Sequence, residues 1–149
     1  MKNLTWQNPE QLFVAQELIN KVKSKCCGIK VDIKEFNNVR HRQLTERSNE
    51  QTIRTAEWLE KNGKPFWLRY VLVPGYSSFE EDIRALGEHF KNYHMIQRVE
   101  ILPYHTLGVH KYEAMGKEYK LNGIKENTLE QLETAKTLFG EYFNTVYLN

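Results

Sequence analysis

The sequence has only two cysteines, Cys26 and Cys27, among its 149 residues. Neighbouring cysteines rarely pair with each other, and two thiolates are too few to hold a metal cluster of the iron–sulfur type. The histidines also lack the close spacing that is typical of a metal site. We therefore interpret the cysteines as free thiols in a reducing compartment, and we expect no metal site.

Other absences exclude whole classes of protein. No apolar run reaches the roughly 18 residues that a membrane span needs, and the first residues lack the apolar core of a signal peptide, which predicts a cytoplasmic protein. The net charge of +2 gives no general attraction to nucleic acid or to a membrane surface. Neither GxGxxG nor a P-loop occurs, which disfavours an unrelated nucleotide-binding protein.

Continuously apolar segments alternate with helical patterns along the chain. Strands are predicted over Ile29–Ile33, Phe66–Val73, Arg98–Leu102 and Thr145–Leu148. Helices are predicted between them and over Pro9–Lys25, with capping boxes at Ser48–Gln51 and Ser78–Glu81 and a cap at Thr128. Apolar strands separated by helices are typical of parallel βα units. We predict an α/β fold, a partial parallel βα barrel with an open strand edge, because four strands cannot close such a barrel.

Polar residues cluster where these strands end, which is where parallel βα proteins place their working residues. Asp32 and Lys34 point to one face of the first strand, as a ligand-binding pair or as a structural ion pair. Arg69 lies within an apolar strand and needs an acidic partner, for which Glu100 of the next strand is the candidate. His105 follows the third strand, either as a functional imidazole or as an ordinary surface side chain.

The segment Thr106–Asn127 is predicted as a long polar loop without regular structure. At more than about 15 residues, such a loop is more often functional than a plain connector. Its Gly, Lys, Tyr and Met residues suit contact with a peptide or a protein loop, although a merely solvated loop fits the pattern as well.

Four motifs stand in order and at matching intervals: Asp32-Ile33-Lys34, Arg69–Gly75, Leu102-Pro103-Tyr104-His105 and Gly116–Tyr119. Together they resemble the C-terminal half of a pyruvate formate-lyase activating enzyme, a member of the radical S-adenosylmethionine (SAM) family. The resemblance implies a partial barrel that binds SAM and a [4Fe-4S] cluster and generates a glycyl radical on pyruvate formate-lyase or a related glycyl radical enzyme.

Residue roles follow from the same resemblance. Asp32 would help to hold a cation and the methionyl end of SAM, and Lys34 would support the same carboxylate. Arg69 and Val71 would line the ribose and methionine region, and His105 would contact the nucleoside. His110, Lys111 and Tyr112 would lie where the glycine-bearing loop of the partner docks. The family usually has Trp where Tyr112 stands.

The CxxxCxxC cluster motif of the family is missing, so the cluster ligands are absent and we assign no catalytic residue. We divide the chain into an atypical N-terminal helical segment, residues 1–28, and a half-barrel, residues 29–149. The first segment suggests either a truncated or frameshifted start or a cap. Two hypotheses remain: an activating-enzyme half that needs another polypeptide to supply the N-terminal half-barrel, or a non-catalytic binding module that docks to a glycyl radical enzyme or an intact activase.

Overall fold

The computed structural model describes residues 28–149 apart from Gly108 and Lys117, and it leaves the side chains of Lys111 and Glu113 undescribed. The predicted helix Pro9–Lys25 and both cysteines lie outside the described residues. Within the described range, no helix combines the length and apolarity that crossing a membrane would require.

In the part of the chain that the structure describes, four parallel strands form one sheet in the order β1-β2-β3-β4. Their bounds are β1 Ile29–Ile33, β2 Phe66–Leu72, β3 Ile96–Pro103 and β4 Val146–Leu148. All four predicted strands are present, and the predicted α/β class with a parallel sheet is confirmed. Because the order follows the sequence, β1 and β4 are the outer strands of the described sheet, and each pairs with one described strand.

Among residues 28–149, five helices connect or follow the strands. They are α1 Asn38–Thr45, α2 Glu50–Lys61, α3 Glu80–Phe90, α4 Val109–Ala114 and α5 Leu129–Gly140. The Thr128 cap of α5 is confirmed. The Thr128 side chain accepts from the Gln131 N–H, and the Gln131 side chain accepts from the Thr128 N–H.

The other two predicted capping boxes are wrong, because their serines bond elsewhere. Ser48 accepts from the Glu50 N–H, and the residue that precedes α2, Asn49, is buried and turns its amide toward the loop after β1. Ser78 accepts from the Gly75 N–H at 3.0 Å, so it closes the turn after β2 instead of capping α3.

One face of the sheet packs against α2, α3 and α5. Alternate residues of the strands point to this side, and the resulting core contains Val31, Ile33, Phe66, Leu68, Tyr70, Leu72, Val99 and Ile101 from the sheet with Ala56, Leu59, Ile83, Leu86, Phe90, Ala135, Leu138 and Phe139 from the helices. The strands are fully buried on this face only, whereas continuously apolar strands predict a sheet covered on both faces.

Helix α1 lies before the capping box predicted at Ser48–Gln51 and was not predicted. The side chain of Asn37 caps it by accepting from the N–H groups of Val39 and Arg40. His41 is buried rather than solvated, and its Nδ1 lies 2.7 Å from the carbonyl oxygen of Arg47. Helix α1 follows β1 directly and therefore lies at the carboxyl edge of the sheet.

Candidate functional site

The sheet face opposite α2, α3 and α5 is polar. Its side chains come from the alternate positions of the strands, and we call it the polar face: Lys30, Asp32, Trp67, Arg69, Val71, Arg98, Glu100 and Tyr147. A closed or partial βα barrel turns this face of its sheet inward, away from the helices. The polar face is thus where this fold would enclose a ligand.

An ion-pair cluster lies toward the carboxyl end of the polar face. The Arg69 guanidinium donates twice to Asp32, from Nε to Oδ1 at 2.5 Å and from Nη2 to Oδ2 at 3.0 Å. The Lys34 ammonium lies 3.7 Å from the same Oδ2. Hydrogen bonding to Asp32 raises the pKa of Arg69 above its ordinary value. Two cations therefore share one carboxylate, at side chains that keep about a third of their surface exposed.

The predicted partner of Arg69 is wrong. Asp32, Arg69 and Glu100 are lateral neighbours on three adjacent strands, so Arg69 lies between two carboxylates. Glu100 is bound instead by Arg98, two residues earlier on the same face of its own strand, at 2.5 Å. Because Glu100 is almost fully buried and already paired, Arg69 turns to Asp32.

Trp67 lies in the middle of a second row on the polar face. Its lateral neighbours are Lys30 and Arg98, whose charged groups lie 5.0 Å and 3.4 Å from its ring. The Arg98 guanidinium also lies 5.3 Å from the Tyr147 ring. Stacking on the indole helps to fix the side chains of both cations, and Arg98 is held by Glu100 as well. This row is nearer the amino end of the strands than the Asp32 cluster.

The structure places the other predicted ligand residues near the same edge. Val71 follows Arg69 by two positions on β2 and is half-buried on the polar face. Pro103 ends β3, and His105 is exposed in the loop that begins there. The described contacts do not join His105 to the Asp32 cluster, so its predicted contact with a nucleoside remains a prediction.

The region predicted as an irregular loop contains helix α4, which the mixed polar sequence did not indicate. His110 is exposed on it, and Tyr112 is 39% exposed while its ring packs edge-on against Tyr119 at 5.0 Å. Tyr119 shares a 2.9 Å hydrogen bond with the Tyr104 hydroxyl, and burial with that bond raises its pKa to about 12. These tyrosine contacts hold the segment 106–127 against the end of β3.

Exposed apolar side chains flank α4 in the sequence. Leu107 is 74% exposed and Met115 is 57% exposed, on either side of Tyr112 along the chain. Large exposed apolar side chains so close in the sequence suit an interaction surface. Lys120, further along the same segment, pairs with Glu46 at the end of α1, which connects the segment to the loops after β1.

A buried polar network at the carboxyl edge escaped the sequence interpretation. Glu35, fully buried, lies within hydrogen-bonding distance of the Tyr70 hydroxyl, which also bonds the carbonyl of Ser77. Tyr70 could have indicated this network in the sequence, because it lies on the apolar face of β2. A hydroxyl buried there needs a hydrogen-bond partner.

No group of three His, Cys, Asp or Glu side chains suited to a metal ion occurs among residues 28–149 as described. The whole sequence has two cysteines. The residues of this chain consequently do not fit a [4Fe-4S] cluster, which takes its ligands from cysteine thiolates.

Comparison with curated proteins tests the resemblance that the motifs indicated. The chain is 43% identical over 135 residues to the pyruvate formate-lyase-activating enzyme of Streptococcus mutans, covering 91% of this chain and 50% of that one. It is 37% identical over 118 residues to the pyruvate formate-lyase 1-activating enzyme of Escherichia coli K12, covering 79% of this chain and 48% of that one. The chain is similar to pyruvate formate-lyase activating enzymes. The resemblance inferred from the motifs is confirmed, and the chain spans about half the length of these relatives.

Solved structures show the same fold. A crystal structure of a domain of pyruvate-formate lyase-activating enzyme from Bacteroides vulgatus superposes with a TM-score of 0.71 at 14% identity, over 95% of this chain and 74% of that one. A radical SAM methyltransferase from Sphaerobacter thermophilus gives 0.67 at 10% identity, over 93% of this chain and 37% of that one. No family model matches the chain.

Proposed function

We propose that this chain is the part of a glycyl-radical-enzyme activating enzyme that contacts SAM and the substrate protein. The observation that supports it best is the Asp32 cluster, where a carboxylate and two cations lie together on the polar face of a fold shared with radical SAM proteins. The sequence similarity to pyruvate formate-lyase activating enzymes supports activation of a glycyl radical enzyme as the reaction.

The donor set fits the amino-acid end of SAM. SAM has a carboxylate, an ammonium and a sulfonium close together, and the cluster offers the complementary charges. The Lys34 ammonium would bind the SAM carboxylate, and Asp32 would accept from its ammonium while Arg69 holds the Asp32 side chain in place. Val71 would cover the ribose and methionine region, and His105 would face the nucleoside.

In radical SAM enzymes, reductive cleavage of SAM supplies a 5′-deoxyadenosyl radical. The residues of this chain provide binding and orientation for that chemistry. They do not provide the [4Fe-4S] ligands, and we derive no step that involves a cluster. We expect the chain alone to bind SAM weakly, because losing even about 4 kcal/mol of contacts weakens affinity by about three powers of ten.

A titration with SAM followed by NMR tests the proposed site. Asp32→Asn keeps the size of the side chain but removes its charge, and we expect it to weaken SAM binding at least about tenfold, the effect of about 1.4 kcal/mol. Lys30→Ala is the matched control, since Lys30 lies two residues earlier on the same strand and face but outside the cluster. Equal weakening by both variants would contradict the proposed site, and low-micromolar binding to the unaltered chain would contradict the expected weak affinity.

The proposed partner is pyruvate formate-lyase or a related glycyl radical enzyme. Its glycine-bearing loop would dock at α4, on His110, Lys111 and Tyr112, where the exposed Leu107 and Met115 add apolar contact area. Exposed aromatic and methionine side chains are the types that contribute most at docking surfaces. Tyr112→Ala should reduce binding of the chain to pyruvate formate-lyase in a surface-binding assay, whereas Val39→Ala, on exposed α1, should not.

A further inference from the structure

Glu35 is a buried carboxyl group immediately beyond the Asp32–Lys34 segment. Its side chain is fully buried, whereas Lys34 keeps 40% of its side chain exposed. The N–H of Asn37 donates to Glu35 Oε1 at 2.8 Å. The other carboxyl oxygen, Oε2, lies 3.2 Å from the hydroxyl of Tyr70 on the neighbouring strand.

The proton count relates the donor in this contact to the protonation state of Glu35. The Tyr70 hydroxyl has one proton and lies 2.9 Å from the carbonyl oxygen of Ser77, which can only accept. If Tyr70 donates to that carbonyl, the proton between Tyr70 and Glu35 must come from Glu35. The two hydrogen bonds are both satisfied when Glu35 is a neutral carboxylic acid.

The charged groups around Glu35 favour the same state. Asp82 of α3 is the nearby acid, and it repels a second negative charge. The guanidinium of Arg40 on α1 is already bound to Asp82 and to Glu81. The carboxyl is bonded by the backbone of Asn37 and Phe36 and by the hydroxyl of Tyr70, which lower its pKa but bring no positive charge. Burial raises the pKa of Glu35 to about 7.

The same network joins the loops that follow β1 and β2. Ser77 Oγ accepts from the Val73 N–H at 2.8 Å and donates to the Val71 carbonyl at 2.7 Å. The amide of Asn49 donates to the carbonyl of Glu35 at 3.1 Å and to that of Phe36. Both loops are thereby fixed at the edge where Asp32, Lys34 and Val71 lie.

We propose that Glu35 is a positioning residue for this edge. As a neutral acid it donates to Tyr70, which donates to Ser77, and the chain of hydrogen bonds holds the loop after β1 against the loop after β2. The inference rests on the proposed function, because the edge it positions is the proposed SAM site. Ionisation of Glu35 turns the single Tyr70 proton toward the carboxylate and leaves the Ser77 carbonyl without its donor, and it adds a buried charge that Asp82 repels. The loop after β2 then loses its bond to Tyr70, and the binding arrangement is lost.

A pair of variants distinguishes this role from ordinary packing. Glu35→Gln keeps a donor toward Tyr70 and an acceptor toward Asn37 but cannot ionise. Tyr70→Phe keeps the ring that packs on Phe139 and removes only the hydroxyl. NMR on the 149-residue chain at pH 6 to 8 follows the amides of Lys34 and Ser77, first alone and then with SAM added.

In the unaltered chain both amides should shift with one shared midpoint, and SAM affinity should fall about tenfold from pH 6 to pH 8, since the competent fraction falls by that factor. Glu35→Gln should keep the pH 6 affinity at both pH values, and Tyr70→Phe should uncouple the two amides. The same pH response in Glu35→Gln as in the unaltered chain would overturn the inference alone. SAM shifts absent from every protein at every pH would overturn the proposed SAM site, and the inference with it.

Discussion

Raising the pH from about 4 to 8 is expected to destabilise the fold through one carboxyl group, Glu35. Its pKa rises from 4.5 in the unfolded chain to about 7 in the folded one, chiefly because of burial. Between these values the folded state holds a proton that the unfolded state has lost, so the free energy of unfolding falls as the pH rises. At about 1.4 kcal/mol per unit, the difference of 2.5 units gives a loss of roughly 3 kcal/mol, complete above pH 7.

Urea unfolding followed by circular dichroism at pH 4, 5, 6, 7 and 8 measures this loss. Glu35→Gln is the control, because every other titrating group remains and cancels in the difference between the two proteins. We expect similar stabilities near pH 4 and a Glu35→Gln variant that is more stable by about 3 kcal/mol at pH 8. A difference that stays constant across this range would refute the assignment of a neutral, buried Glu35.

Three further predictions concern the chain as a whole. Anaerobic reconstitution with iron and sulfide should give no [4Fe-4S] absorbance in this chain alone, because its two cysteines are too few; a stoichiometric brown product would contradict this. Leu68→Ala, at a fully buried position of β2, should lower the free energy of unfolding by about 2–5 kcal/mol in urea, and a loss under 1 kcal/mol would show that the core is misplaced. Sedimentation over a range of concentrations should show self-association through the side strands β1 and β4, whereas a strict monomer at high concentration would argue against it.

The strands could be predicted closely because each carries a row of apolar side chains that packs against the helices, although the opposite face is polar. The predicted bounds of β1 match the structure, and those of β2 to β4 differ from it by one or two residues at either end. Helix α1 was missed because its sequence has no apolar face: Val39 is 67% exposed, and the side chain buried there is a histidine. Local patterns indicate an element only when burial of apolar residues specifies it.

The candidate site was also predicted only in part, and the reason differs from the one that applies to α1. The motifs and strand ends located Asp32, Lys34 and Arg69 at one edge, and the structure joins all three. The sequence could not say which acid Arg69 would bind, because that choice depends on lateral register and on Arg98 already holding Glu100. The Glu35–Tyr70–Ser77 network depends on contacts between loops that are more than 30 residues apart, which no local spacing encodes.

The location of bound SAM tests the central proposal most directly. Photo-crosslinking with an 8-azidoadenine derivative of SAM, followed by mass spectrometry of the peptides, reports which residues lie beside the nucleoside. We predict labelling within residues 102–106, around His105, that unlabelled SAM suppresses and that Asp32→Asn weakens. A cavity of 220 Å³ lies on the helix side of the sheet, between α3 and α5, and is lined by Thr134 and Leu138. Labelling at this cavity that is unchanged in Asp32→Asn would contradict the account.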